Sequence, residues 1–327
     1  MLLLAISVFL GLAMIEVGFR VLGPAPLQPR RIEPGVPFVA RPGNRLEYRP
    51  GAQFASIYDP AADSRGYFGP TGRVEYRINE FGFRGPAPEI PKPPGVVRIA
   101  CLGDSFTFGE GVRYEDTWPA VLAGRLNSAR PAGVTSYDVI NAGVQGYGLV
   151  DELLWYGLRI EKLNPDIIVL AFFMNDLAPT SETIRINDEM HRPESATGLA
   201  QYSAVADWFQ RRRRAERLQA QYFQSIRESF NAAGREKLDQ ALSGFKAYAD
   251  ERGVQLLVVV FPVLWGLDAN YPLRDQHAIV SRACDRSGIR RLDLLDVYAG
   301  TRAETLWVHP TDQHPNEIAQ RRAADAV

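Results

Sequence analysis

The chain has 327 residues, 46% of them hydrophobic, with 37 Lys and Arg against 38 Asp and Glu. That is enough for one large core of roughly 200 to 250 residues plus appendages. A net charge of -1 leaves no global basic field for nucleic acid. Two cysteines, Cys101 and Cys284, lie far apart without CxxC spacing, so neither a disulfide framework nor a zinc knuckle is indicated. Both read as buried small hydrophobes.

The N-terminus, "MLLLAISVFLGLAMIEVGFRVLG", is apolar over about 22 residues, with Glu16 and Arg20 four apart on one helix face. Its length predicts a transmembrane anchor over residues 1–23. Arg20, Arg30 and Arg31 all follow the segment, and the positive-inside rule read strictly would place the rest in the cytoplasm. Residues 24–95 are rich in Pro, Gly and Arg and read as a linker and N-terminal extension. Within them "RVEYRINEFGFRG" alternates like a strand or hairpin.

From Val96 the pattern becomes regular. "VVRIACLG" is a buried strand, "TWPAVLAGRLNSA" a helix and "SYDVINAG" a second strand. "LVDELLWYGLRIEKLN" is a helix ending before Pro165, and "DIIVLAFF" has the continuous apolar run of a central parallel strand. An insertion from about 177 to 234 follows. Its second half looks helical, with Arg211–Arg214 as a solvated face. "EKLDQALSGFKAYADERG" is a helix closed by Gly253. "VQLLVVVFP" is the fourth strand, "RDQHAIVSRACDRSG" a helix and "IRRLDLLD" the fifth strand. "PNEIAQRRAADAV" is a last helix with Pro near its first turn. Strands alternating with helices predict an open α/β domain over 96–327, with five mostly parallel strands covered on both faces.

Ligands of such sheets bind at the carboxyl ends of the strands. Those ends carry Gly103-Asp104-Ser105, then Asn141–Gly148, then Met174-Asn175-Asp176, and finally "HPTDQHPN", His309–Asn316. A Ser, Gly-rich and Asn-bearing loops and an Asp-His pair are the parts needed for acyl transfer through a serine. Ser105 needs a base such as His314, and the imidazole needs a carboxylate such as Asp312 to hold one tautomer. The Ser105 N–H, a Gly N–H of the second loop and the Asn175 amide can serve as oxyanion donors. Each block alone has a plainer use as a turn, loop or helix cap; their order after successive strands is what points to chemistry.

"GDSFT", "NAGVQG", "ND" and "DQHPN" together resemble the SGNH hydrolases, the GDSL esterase and lipase superfamily. The resemblance covers about Val96 to the C-terminus. It implies a flavodoxin-like three-layer fold and serine-dependent ester hydrolysis or acyl transfer without cofactor or metal. By motif it makes Ser105 the nucleophile, Gly146 and Asn175 oxyanion donors with Ser105, and His314 the base. Two departures stand out. The family commonly has Asp three residues before the His, where this chain has Thr311, so Asp312 is the expected partner with Asp293 and Asp296 in reserve. Met174 stands where a Gly is common. The anchor, the spacer, the "RINEFGFRG" lead-in and the insertion resemble membrane-anchored members linked to bacterial exopolysaccharide or cell-envelope modification. That implies an O-acylated, acetylated glycan as substrate and an extracytoplasmic, periplasmic catalytic domain, against the arginine distribution.

Two other readings compete. One is a glycan-binding module on the same fold without catalysis, suggested by the Asp spacing. The other is a metal site from His309, Asp312 and His314. A GxSxG elbow is absent because Thr107 replaces its second Gly, and Gly109–Gly111 is too little for a dinucleotide fingerprint.

Overall fold

The computed structural model describes residues 1–23, 27–41, 45–178, 185, 189 and 195–327. Helix α1 is Leu2–Leu22. The extension then folds as β1 (Arg31–Glu33), β2 (Phe38–Arg41), β3 (Arg45–Tyr48), β4 (Gln53–Ile57) and β5 (Arg73–Arg77). The α/β part comprises β6 (Val96–Leu102), α2 (Ser105–Phe108), α3 (Trp118–Ser128), β7 (Ser136–Asn141), α4 (Leu149–Trp155) and β8 (Ile167–Phe173). It continues with α5 (Ala204–Ser229), α6 (Ala232–Arg252), β9 (Gln255–Phe261), α7 (Arg274–Arg286) and β10 (Arg290–Asp293). It ends with α8 (Leu295–Tyr298), β11 (Trp307–His309), β12 (Asp312–Pro315) and α9 (Glu317–Ala326).

The five expected strands form one all-parallel sheet, in the order β10-β9-β8-β6-β7. The chain starts inside the sheet, moves one strand outward and then doubles back, which is the flavodoxin-like order. Right-handed crossovers put α3 on one face and α4, α6 and α7 on the other; α9 packs beside α3. The central β8 reads Ile-Ile-Val-Leu-Ala-Phe-Phe, and all but its first residue are buried. Each large apolar side chain so covered contributes about 1.5–3 kcal/mol. Cys101 and Cys284 lie in this core, both fully buried.

Local deviations have local reasons. The helix expected to reach Asn164 widens into a π turn at Tyr156–Ile160, around Gly157, and ends in a short 3-10 turn before Pro165. Pro315 precedes the last helix as the end of β12. The N-cap is Asn316, whose carbonyl oxygen accepts the N–H groups of Ile318 and Ala319. In the insertion, Arg211 pairs with Asp207 and Arg212 with Glu216, each one helical turn away. Of the predicted insertion, residues 179–184, 186–188 and 190–194 lie outside the described residues.

The extension is more than a tether. β1, β4 and β5 form a three-stranded antiparallel sheet, and β2–β3 a hairpin. Tyr48, Phe54, Tyr58, Phe68 and Tyr76 join the hydrophobic cluster that contains the parallel sheet. The "FGFRG" lead-in supplies Arg84, only 1% exposed. Its guanidinium donates to the carbonyls of Phe108, Gly109 and Val112, each at 2.6 Å, and its backbone bridges to Asn141.

The expected membrane-spanning helix over residues 1–23 finds no support among the described residues. Among the described residues, no helix is long and apolar enough to cross a membrane. The two charged residues of α1, Glu16 and Arg20, are engaged by the insertion. Glu16 accepts the Ser203 hydroxyl and the Ala204 N–H, both at 2.7 Å, so it caps α5. Arg20 donates to the Tyr202 carbonyl at 2.5 Å, and Phe19 packs edge-on to Trp208. Large apolar side chains of α1 stand exposed, Leu3 at 81% and Phe9 at 70%.

Candidate active site

Strand β6 delivers Gly103, Asp104 and Ser105 to the carboxyl edge of the sheet. Gly103 has φ 153°, and a Cβ there would lie 2.2 Å from the Thr107 hydroxyl. Only glycine permits that exit. Asp104 is the N-cap of α2, its carboxylate accepting the Phe106 N–H at 2.8 Å. Burial pushes the Asp104 carboxyl up to about 6, opposed by the Phe106 N–H and by nearby His314. Asp104 therefore shapes the turn that presents Ser105.

The opposite side of the site comes from the β11–β12 hairpin. β12 is extended, so residues two apart share a face. That periodicity puts Asp312, two residues before the histidine instead of three, on the same face as the imidazole. The His314 Nδ1–H points to Asp312 Oδ1 at 2.5 Å, and Ser105 Oγ lies 2.9 Å from His314 Nε2. A carboxylate accepts and cannot donate, so the proton sits on Nδ1 and Nε2 is free to accept from the serine. The Phe106 ring meets the imidazole edge-on at 5.6 Å. Burial opposes charging of His314, yet the Asp312 carboxylate, by charge and by hydrogen bond, lifts its pKa above the ordinary imidazole value.

The other expected partners fall elsewhere. Asp293 binds His277 at 2.9 Å. His309 bonds the Thr311 hydroxyl and the Asp59 carbonyl and stacks near Tyr58. Among the described residues no group of His, Cys, Asp and Glu is arranged to hold a metal ion.

The second loop shows a division of labour between glycines. Gly143 is packed against α2, where a Cβ would lie 2.3 Å from the Phe108 nitrogen, and its N–H is taken by Asn141. The Asn141 amide also donates to the Thr107 carbonyl at 2.9 Å, tying this loop to the serine turn. Gly146, with φ 78°, stands exposed in open space. Neither its N–H nor that of Ser105 has a partner among the described residues. Asn175 follows β8, half-buried, with its side chain near the Tyr222 hydroxyl of α5.

Several supporting residues carry no motif. Asp312 Oδ2 accepts the Tyr58 hydroxyl at 2.8 Å and an Arg30 N–H at 3.3 Å. Arg30 also meets Glu110 at 2.7 Å, and Glu110 accepts the Ser56 and Tyr76 hydroxyls. Gln320 of α9 donates to the Phe106 carbonyl at 3.0 Å and accepts the Trp118 N–H at 2.7 Å, pinning α2 from behind. Glu152 and Asp176 are buried nearby. Burial pushes both carboxyls up, helped for Glu152 by the charges of Asp104 and Asp151 and for Asp176 by those of Glu152 and Asp104.

Similar solved structures include an α/β hydrolase enzyme from the metagenome of Lake Arreo, Spain, at 14% identity and TM-score 0.46, covering 70% of this chain and 92% of that one. An acetyl xylan esterase shows 17% identity and TM-score 0.44, covering 70% and 97%. A two-domain esterase active on acetylated mannans shows 15% identity and TM-score 0.44, covering 71% of this chain and 47% of that one. No curated protein sequence matches the chain. The model of the GDSL-like lipase/acylhydrolase family matches residues 101–322, which spans the serine turn, both loops and the Asp-His hairpin. The chain belongs to the GDSL-like lipase/acylhydrolase family.

Proposed function

We propose that this hydrolase is a serine esterase or O-acyltransferase that works through an acyl-enzyme on Ser105, with an acetylated glycan as substrate class. The observation that carries the reading is the line Ser105 Oγ, His314 Nε2, His314 Nδ1, Asp312 Oδ1, with contacts of 2.9 and 2.5 Å at its two ends. Ser105 Oγ attacks the ester carbonyl carbon while His314 Nε2 takes its proton. The charge that develops on the carbonyl oxygen is met by the Ser105 and Gly146 N–H groups and the Asn175 amide. Collapse breaks the bond to the sugar oxygen, which leaves with the proton from His314. Water, or a second sugar hydroxyl, then gives its proton to His314 and attacks the acyl carbon, freeing Ser105. The hydrogen-bonded Asp-His-Ser line favours catalysis over the glycan-binding alternative.

The glycan class is supported by the resemblance of the N-terminal organisation to envelope-modifying members of the family. The same resemblance supports an extracytoplasmic catalytic domain. Membrane attachment is supported by the exposed apolar side chains of α1, which suit a lipid surface better than water. Release of acetate from acetylated xylo- and manno-oligosaccharides, with and without an added sugar acceptor, tests the substrate and separates hydrolysis from transfer. Turnover that survives His314→Ala would overturn the mechanism. Cofloatation with lipid vesicles that persists after removal of residues 1–23 would overturn the role of α1.

A further inference from the structure

Glu110 is a buried charge and Arg30 a part-buried one, and the acyl-transfer steps above leave both unused. Arg30 comes from the segment ahead of β1, and Glu110 follows α2. Arg30 touches both carboxylates, Glu110 at 2.7 Å and Asp312 at 3.3 Å. Glu110 is 1% exposed; its Oε1 also takes the Ser56 and Tyr76 hydroxyls, and its Oε2 has no partner. Arg30, Asp312 and Glu110 thus hold one positive and two negative charges beside a neutral imidazole. Asp104 beside Ser105 apart, the set balances only when His314 carries a proton, as it does while Ser105 attacks. Charges fixed in advance for that moment favour the transition state over the resting enzyme.

We propose that Arg30 and Glu110 are positioning residues of opposite effect on His314: Arg30 fixes and partly offsets Asp312, and Glu110 supplies the surplus negative charge that the imidazolium neutralises. The inference rests on the esterase reading of the Ser105 line. The groups facing His314 are Asp312 on its own strand, Asp104 beside Ser105, Glu110 and Arg30. Those facing Arg30 are Glu110, Asp312, Tyr58 and Tyr76. Glu110 raises the proton affinity of His314 and Arg30 lowers it, in keeping with their signs. A residue that merely stabilised the fold would have no signed effect.

The test is the pH profile of kcat/KM for 4-nitrophenyl acetate, with the full chain and its Arg30→Gln, Glu110→Gln and doubly substituted variants. The acid limb should move up in Arg30→Gln and down in Glu110→Gln, each on the order of half a pH unit. The double variant should return toward the native limb, and Arg30→Lys should hold it. The imidazole titration of His314 followed by NMR in Ser105→Ala reports the same shifts without turnover. An inactive native protein would thus sink the esterase reading while leaving this inference open to measurement. Shifts of the same sign, or no shift in variants that melt like the native chain, would overturn it. Glu110→Gln keeps the accepting oxygen, and its amide replaces an oxygen without partners, which favours a folded variant.

Discussion

Replacing Asp312 by Asn removes one charge and, through its surroundings, reverses a tautomer. The Oδ2 atom of Asp312 is held by two donors, the Tyr58 hydroxyl and the Arg30 guanidinium. In Asp312→Asn the amide oxygen must turn toward them, which aims the NH2 at His314 Nδ1. Nδ1 then has to accept, the imidazole proton moves to Nε2, and Nε2 no longer takes the Ser105 proton. The lost attraction alone is worth about 4 kcal/mol for unit charges ~4 Å apart at an effective dielectric near 20. That corresponds to about a thousandfold in rate, and the tautomer penalty adds to it. We expect kcat/KM for 4-nitrophenyl acetate to fall about 10³- to 10⁴-fold, with KM nearly unchanged and a melting midpoint close to native. A loss smaller than tenfold would refute the assignment of Asp312 and the argument from Tyr58 and Arg30 together.

Other consequences can be measured on the same protein. Because His314 is charged below a pKa lifted above the ordinary imidazole value, and the base must be neutral, native kcat/KM should rise with pH through a midpoint above 6.5; a midpoint below 6 would contradict the geometry. Asn175→Ala should lower kcat about 10²- to 10³-fold while fluorophosphonate still labels Ser105 slowly; unchanged kcat would remove Asn175 from the oxyanion site. Glu152 is fully buried with neither oxygen partnered, and burial raises its pKa. The folded state therefore holds a proton that the unfolded chain releases near its ordinary value. Stability contributed by this group is complete at low pH and falls by about 1.4 kcal/mol per pH unit between the unfolded and folded pKa values. Glu152→Gln should lack that decline and outlast the native protein in urea at pH 8; parallel stability curves from pH 4 to 8 would contradict it.

β8 and β9 were readable because each is a nearly continuous apolar run that leaves no other use for its residues. Ser105 and His314 were readable because strand ends and loop chemistry coincide at them. Asp312 was legible only as the nearest carboxylate, since the spacing departs from the family pattern; an extended β12, which puts residues two apart on one face, supplies the reason. The partners of Asp312 were not legible. Tyr58 and Arg30 reach it across 254 and 282 residues of chain, and neither sits in a motif. Their segment looked like a linker because its strands are short and broken by Pro and Gly. Aromatic packing of Tyr48, Phe54 and Tyr76 against Phe108, rather than hydrophobic periodicity, holds it in place. Gly143 and Gly146 of the second loop differ for a similar reason. Gly143 is fixed by the nearness of α2, which nothing in the local sequence announces.

α1 shows the limit of composition as a guide. Its apolar letters suggested a span, but the charges at Glu16 and Arg20 are engaged by the start of α5. Among the described residues no helix is long and apolar enough to cross a membrane.

The central claim is that Ser105 is a nucleophile made reactive by His314 and Asp312. The most direct measurement is labelling of the native chain with a fluorophosphonate, read by intact mass and peptide mapping alongside Ser105→Ala and His314→Ala. The account predicts one adduct, on Ser105, absent from Ser105→Ala and strongly slowed in His314→Ala. A native chain that takes no label, or one labelled equally well after Ser105→Ala, would contradict it.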